Sequence, residues 1–175
     1  MKMNQQSDID QPSLTPARNQ KALTDKQIED VRTLFNFMVT PDAKDDVGDS
    51  FDGDVLSEFE VKIDFSRAKI DGTRTTYADE DNIIYIGTNI YPVMSGPQTA
   101  NATMSMMACL AHELAHAQRK FLGYRRNSVG RGELIDEAET SLHASFFSYL
   151  NPFHREQLVR DATERLEGWH SWPEE

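Results

Sequence analysis

His112, Glu113 and His116 occur in the order His-Glu-Leu-Ala-His, and residues four apart in a helix share one face. Two imidazoles at that spacing can aim at one ion, while the carboxylate between them stays off the ion and within reach of a water bound to it. Zinc held by three protein ligands with one open position lowers the pKa of its water toward about 7, and an adjacent carboxylate can take the proton and pass it to a leaving amine. His112 and His116 are therefore candidate zinc ligands, Glu113 the candidate catalytic base, and one Zn2+ per chain is expected. Only five histidines occur in the 175 residues, so meeting this spacing by accident is rare.

A third ligand must come from elsewhere, and the segment after the motif helix offers Glu133, Asp136, Glu137, Glu139 and His143. Glu137 is the choice, because Ala138, Ser141 and Ala144 around it are small enough for two helices to approach closely; Glu133, one turn earlier, is its competitor. Cys109 lies three residues before His112 on the same side of the helix. A thiolate there could occupy the open zinc position and keep the enzyme latent, a cysteine switch; the plain alternative is a small buried core residue.

The elements that must position these groups can be read from the hydrophobic pattern. Residues 1–22 are polar and proline-bearing, which predicts a flexible tail, with a single domain over 23–175. Thr24 and Gln27 form a capping-box pattern before Ile28, Val31, Leu34, Phe35 and Met38, predicting a helix over about 24–39. The acidic, turn-rich residues 41–54 lack the closing glutamate of a calcium-binding EF-hand and read as a solvated loop. Alternation around Phe59–Phe65, a turn at Asp71-Gly72 and further runs at Arg74–Tyr77 and Asn82–Gly87 predict a small antiparallel sheet. Helices are expected over about 98–121, ended by Gly123, over 133–150, and from Pro152 to about 167. The expected class is α+β: a compact domain whose small sheet packs on the active-site helix, with a second, ligand-bearing helix beside it. Ile83, Ile84, Tyr85 and Ile86 form either a substrate-pairing edge strand or a core strand with no free edge.

A formal charge of −11 makes a generally nucleic-acid-coating or membrane-surface protein a poor fit. The exception is local. Residues 117–132 hold Arg119, Lys120, Arg125, Arg126 and Arg131 and no acid. This loop reads either as a solvated balance to nearby acids or as an anion site for single-stranded DNA, with Tyr124 stacking. Trp169-His170-Ser171-Trp172 reads as packing on the last helix or as a partner contact. No window approaches the roughly 18 apolar residues of a membrane span, the start lacks a secretory pattern, and one cysteine fits a reducing compartment, so a cytoplasmic protein without a membrane partner is expected.

The His-Glu-x-x-His motif followed by a helix carrying Glu137-Ala138 resembles the ImmA/IrrE-type metallopeptidases over about residues 82–150. The resemblance implies a zincin-like fold, a His-His-acid zinc site, and cleavage of a helix-turn-helix repressor of stress or anti-phage genes. Relatives of similar size, the CapP-like peptidases, accompany anti-phage signalling operons, and a damage-responsive relative would suggest single-stranded DNA as the activator. The rival readings are a non-proteolytic metal-binding sensor or partner-binding protein, and a deformylase-like hydrolase, whose separate glycine-rich and upstream cysteine motifs this chain lacks.

Overall fold

The capping box forms in full: Thr24 Oγ1 accepts from Gln27 N at 3.2 Å, and Gln27 Oε1 accepts from Thr24 N at 2.9 Å. It starts helix α1, Asp25–Val39, which sends Ile28, Val31, Phe35 and Met38 into the core. The computed structural model describes residues 18–40, 60–93, 99–127 and 129–173; the acidic segment 41–54 lies outside them. Among the described residues, five α-helices and a three-stranded sheet make a mixed α+β structure.

The strands are β1 (Lys62–Asp64), β2 (Thr76–Ala78) and β3 (Ile83–Tyr85), in the order β1-β3-β2. β3 pairs antiparallel with β2, Tyr77 opposite Ile84, but parallel with β1, Ile63 opposite Ile84. The sheet is therefore mixed, which corrects the antiparallel expectation. A meander would need β1 and β2 to pair through the Asp71-Gly72 turn. That turn exists, with Gly72 at φ 75°, but its backbone bonds go to the N-terminal segment: Gly72 N donates to Gln20 O and Ala68 O accepts from Leu23 N, each at 2.8 Å. The chain thus passes β1, loops, and enters the sheet from the other side of β3.

The predicted helix over 98–121 is two pieces, α2 (Ala100–Thr103) and α3 (Met106–Phe121). Met104 leaves the helical region, and Ser105 restarts the helix by accepting from Ala108 N at 3.2 Å. Gly123, at φ 89°, ends α3: Tyr124 N donates to Arg119 O and Gly123 N to Lys120 O, both at 2.9 Å, the Schellman pattern. Helix α4 (Gly130–Ser145) follows, shorter at its end than expected, because Arg155 gathers the carbonyls of Ser145, Phe147 and Leu150 into a turn. Asn151 caps α5 (Pro152–His170), with Pro152 in its first turn. Trp169 ends this helix beneath Arg131, 4.4 Å from guanidinium carbon to ring centre, so it packs on its own helix's neighbour.

Helix α3 is the centre of the fold. It meets β2 and α1 on one side and α4 and α5 on the other, burying Leu110, Ala111, Leu114 and Ala115 against a core that includes Ile84, Ile86, Phe147 and Leu158. Among the described residues no helix is long and apolar enough to cross a membrane.

Residues 18–22 are joined to the fold, which corrects the expected tail there; its residues 1–17 lie outside the described ones. Arg18 is 4% exposed, and its guanidinium donates to the carbonyls of Asn89, Ile90, Asn101 and Met104. These oxygens end a 3-10 turn (Thr88–Ile90) and α2, where helical carbonyls lack internal partners. One buried arginine does what composition does not register. Arg18→Met should lower the unfolding free energy by about 2 to 4 kcal/mol in urea titrations, because several buried acceptors lose their donor at once.

Candidate metal centre

Small residues let α3 and α4 approach: Ala111 and Ala115 on one helix, Ala138, Thr140, Ser141 and Ala144 on the other are buried. Between them His112, His116 and Glu137 converge, one ligand atom from each lying within 4.8 Å of the others. All three are buried. His112 Nε2 is 3.1 Å from Glu137 Oε2 and His116 Nε2 is 3.2 Å from Glu137 Oε1, with the two rings nearly perpendicular at 87°. These residues could hold a metal ion.

The proton inventory says which ring atoms face that space. Ser141 Oγ has one proton, and it goes to Asp161 Oδ2 at 2.6 Å; Ser141 must therefore accept from His112 Nδ1 at 2.8 Å. Thr140 likewise donates to Asp136 O at 2.8 Å and accepts from His116 Nδ1 at 3.3 Å. Both imidazoles thus carry hydrogen on Nδ1 and turn Nε2 toward Glu137. Two consecutive hydroxyls on α4 orient both rings, as partners of metal-binding histidines do.

His116 Nε2 is buried without a hydrogen-bond partner, although the Glu137 oxygen is near. Burial pushes His116 down to about 4, so the ring is neutral near pH 7 and presents a lone pair to a carboxylate oxygen. Two acceptors facing across 3.2 Å fit a shared cation. Burial also works against charge on His112, but the hydrogen bond and charge of Glu137 outweigh it and hold His112 above its usual range. Burial works against charge on Glu137, but its contacts with the histidines, above all the hydrogen bond and charge of His112, outweigh it and hold the carboxyl well below the usual range. A cation would replace the His112 proton, so binding should release protons. The donor set of two imidazoles and a carboxylate suits zinc-like ions.

Glu113 lies beside this set without joining it. Its Oε2 accepts from the backbone N–H of Tyr77 at 2.8 Å, tying the motif helix to β2. Burial raises its pKa despite His112 nearby, which favours a group able both to take and to return a proton. Two arginines flank Glu137: Arg126 Nη2 at 2.8 Å from Oε1 and Arg165 Nη1 at 3.3 Å from Oε2. Arg126 also donates to Tyr77 O at 3.3 Å. Beside His116 a shallow depression, lined by Asp79, Lys120, Tyr124 and Arg126, opens the site outward.

Of the acids offered by sequence, Glu137 reaches the histidines, whereas Glu133 is exposed and outside the cluster. Cys109 packs against the core, its sulfur is not among the converging atoms, and burial pushes its thiol up to about 11. The substrate-edge expectation for Ile83, Ile84, Tyr85 and Ile86 is corrected: β3 is the central strand, paired on both sides, with Ile84 and Ile86 fully buried. A continuous apolar run marks a strand enclosed by neighbours, and here it did. The edge nearest α3 belongs to β2.

The basic loop divides. Arg119 is buried, pairing with Asp136 and Glu139; Arg126 holds Glu137; Arg131 donates to Trp169 O at 3.1 Å. Lys120 and Arg125 remain exposed, as does Tyr124. Sequence reasoning missed Thr140, Ser141, Asp161 and Arg165. The first two had a signal, standing three and four residues after Glu137 and so on its face; the others sit on a separate helix with nothing local to mark them. Comparison with protein-family models, curated proteins and solved structures returns no match.

The depressed His116 predicts a pH effect in chelator-treated protein. The unfolded ring takes a proton near its ordinary value of 6.5 and the folded ring only near 4, so the unfolded state binds more protons between these values. Stability should therefore fall as pH drops from about 6.5 to 4, by at most about 3 kcal/mol from this group, offset in part by the raised Glu113. Urea midpoints across that range, for wild type and His116→Gln, check it; the variant should show the flatter profile.

Proposed function

We propose that this protein is a zinc-dependent endopeptidase of zincin-like type, resembling the ImmA/IrrE-type metallopeptidases, that makes specific cuts in a protein substrate. The observation that carries the reading is a buried carboxylate, Glu113, fixed beside three convergent ligand atoms but outside the ligand set. A merely structural metal site is closed by four ligands and has no use for it.

His112, His116 and Glu137 would hold the zinc, which when bound supplies Lewis acidity and a water of lowered pKa. Glu113, anchored by Tyr77 N–H, would accept the proton of the attacking water and return it to the departing amine. An extended substrate would lie along β2, the edge strand that touches α3, and not along β3. The choice of a helix-turn-helix repressor in the cytoplasm as substrate, with derepression of stress or anti-phage genes as outcome, rests on the His-Glu-Leu-Ala-His and Glu137-Ala138 resemblance.

The test is metal analysis with incubation against a neighbouring-gene helix-turn-helix protein, followed by mass spectrometry of products. About one zinc per chain, and cleavage lost by a factor of about 100 to 10,000 in Glu113→Gln with zinc retained, is expected. Undiminished cleavage by Glu113→Gln would overturn the reading; zinc without cleavage, with or without single-stranded DNA, would favour the binding-protein alternative.

A further inference from the structure

Most of the polar groups around the cluster have an evident task. Arg119 holds Asp136 and Glu139, and Arg126 spans Glu137 and Tyr77. Asp161 is different. It is 2% exposed, comes from α5, which contributes no ligand, and accepts two hydrogen bonds on one oxygen, from Ser141 Oγ at 2.6 Å and from Arg165 Nε at 2.7 Å. Burying a carboxylate costs several kcal/mol, on the order of what a guanidinium pair recovers. Arg165 alone could neutralise it, so the Ser141 bond calls for a separate explanation.

We infer that Asp161 is a positioning residue of the metal centre, acting through Ser141 to orient His112 and strengthen it as a ligand. The inference rests on the reading of His112, His116 and Glu137 as a site for a divalent metal. The chain runs from Asp161 Oδ2 to Ser141 O–H, from Ser141 Oγ to His112 Nδ1–H, and leaves His112 Nε2 facing Glu137. Each step has only one assignment, because a carboxylate paired to arginine accepts, a hydroxyl has one proton, and the ring must then donate. Negative charge behind an imidazole N–H raises electron density on its other nitrogen and makes it a better donor to a metal.

His116 is supported differently. Thr140 passes its proton to the neutral main-chain carbonyl of Asp136, over a longer ring contact of 3.3 Å against 2.8 Å for His112. The two histidines of the motif are therefore unequal: behind His112 stands a carboxylate, whereas the Thr140 oxygen behind His116 meets a neutral carbonyl and the Arg119 guanidinium. Arg165, bonded to Asp161 and 3.3 Å from Glu137, links that same charge to the third ligand. Helix α5 thus belongs to the site although it supplies none of the three converging groups.

The test uses full-length protein, with zinc affinity measured by competition against a chromophoric chelator and site geometry by the visible bands of Co2+. Ser141→Ala and Asp161→Asn should each weaken zinc about 10- to 100-fold and alter the Co2+ spectrum. The double variant should lose scarcely more than either single one, because one chain is cut twice. Ser141→Thr, which keeps the hydroxyl, should bind zinc nearly as wild type, and Thr140→Val should cost less than Ser141→Ala. Ser141→Ala leaves the Asp161–Arg165 pair intact, and it decides the matter should Asp161→Asn fail to fold. Folded variants with wild-type affinity and spectrum, or losses that simply multiply, would overturn the role of Asp161 while leaving the metal site standing. A wild-type protein that binds no zinc would overturn both.

Discussion

A neutral imidazole nitrogen and a carboxylate oxygen, both acceptors, face each other across 3.2 Å in the interior, and much of the molecule serves to hold them there. Such a contact is unfavourable by itself, since neither atom has a proton to offer. It is maintained by groups with no freedom to turn away: the Thr140 and Ser141 hydroxyls fix the rings, and Arg126 and Arg165 fix the carboxylate. The small residues of α3 and α4 set the separation of the helices. The same closeness leaves little space for anything but a compact cation among the three ligand atoms.

The carboxylate side is balanced in charge. Glu137 meets His112 and two guanidiniums, Asp161 meets Arg165, and Asp136 meets Arg119. Among the described residues Glu113 has no guanidinium bonded to it and accepts from the Tyr77 backbone N–H, and burial raises its pKa. The carboxylate with the weakest compensation is the one whose proposed task is to exchange a proton. Glu137, between two guanidiniums, is by contrast held well below the usual carboxylate range.

Those parts that depend on neighbours in sequence are legible in the sequence itself. The His-Glu-Leu-Ala-His face, the Thr24–Gln27 box, the Gly123 stop and the Pro152 start all use local geometry and appear where expected. Glu137 was reachable because helical small residues betray a close approach. Strand pairing was not, since it depends on where the 65–75 connection is pinned, and the pins are Gln20 and Leu23, about fifty residues away. The buried partners Asp161 and Arg165 escaped because an acid and an arginine four apart on a helix look like any solvated pair. The basic loop misled in the same way: its charge was visible, but not the acids already waiting for Arg119 and Arg126.

Arg18 ties the segment before helix α1 to the rest of the fold. A shortened chain beginning at Leu23, the first buried apolar residue among the described ones, would retain every described helix and strand yet lose the guanidinium that joins the 3-10 turn at Thr88–Ile90 to the end of α2. That junction lies directly before Ser105, where the ligand-bearing helix begins. Trimming to the hydrophobic core would therefore loosen the entry to the helix that carries His112 and His116 from more than eighty residues away in sequence, and a protease cutting between residues 18 and 23 would have the same effect.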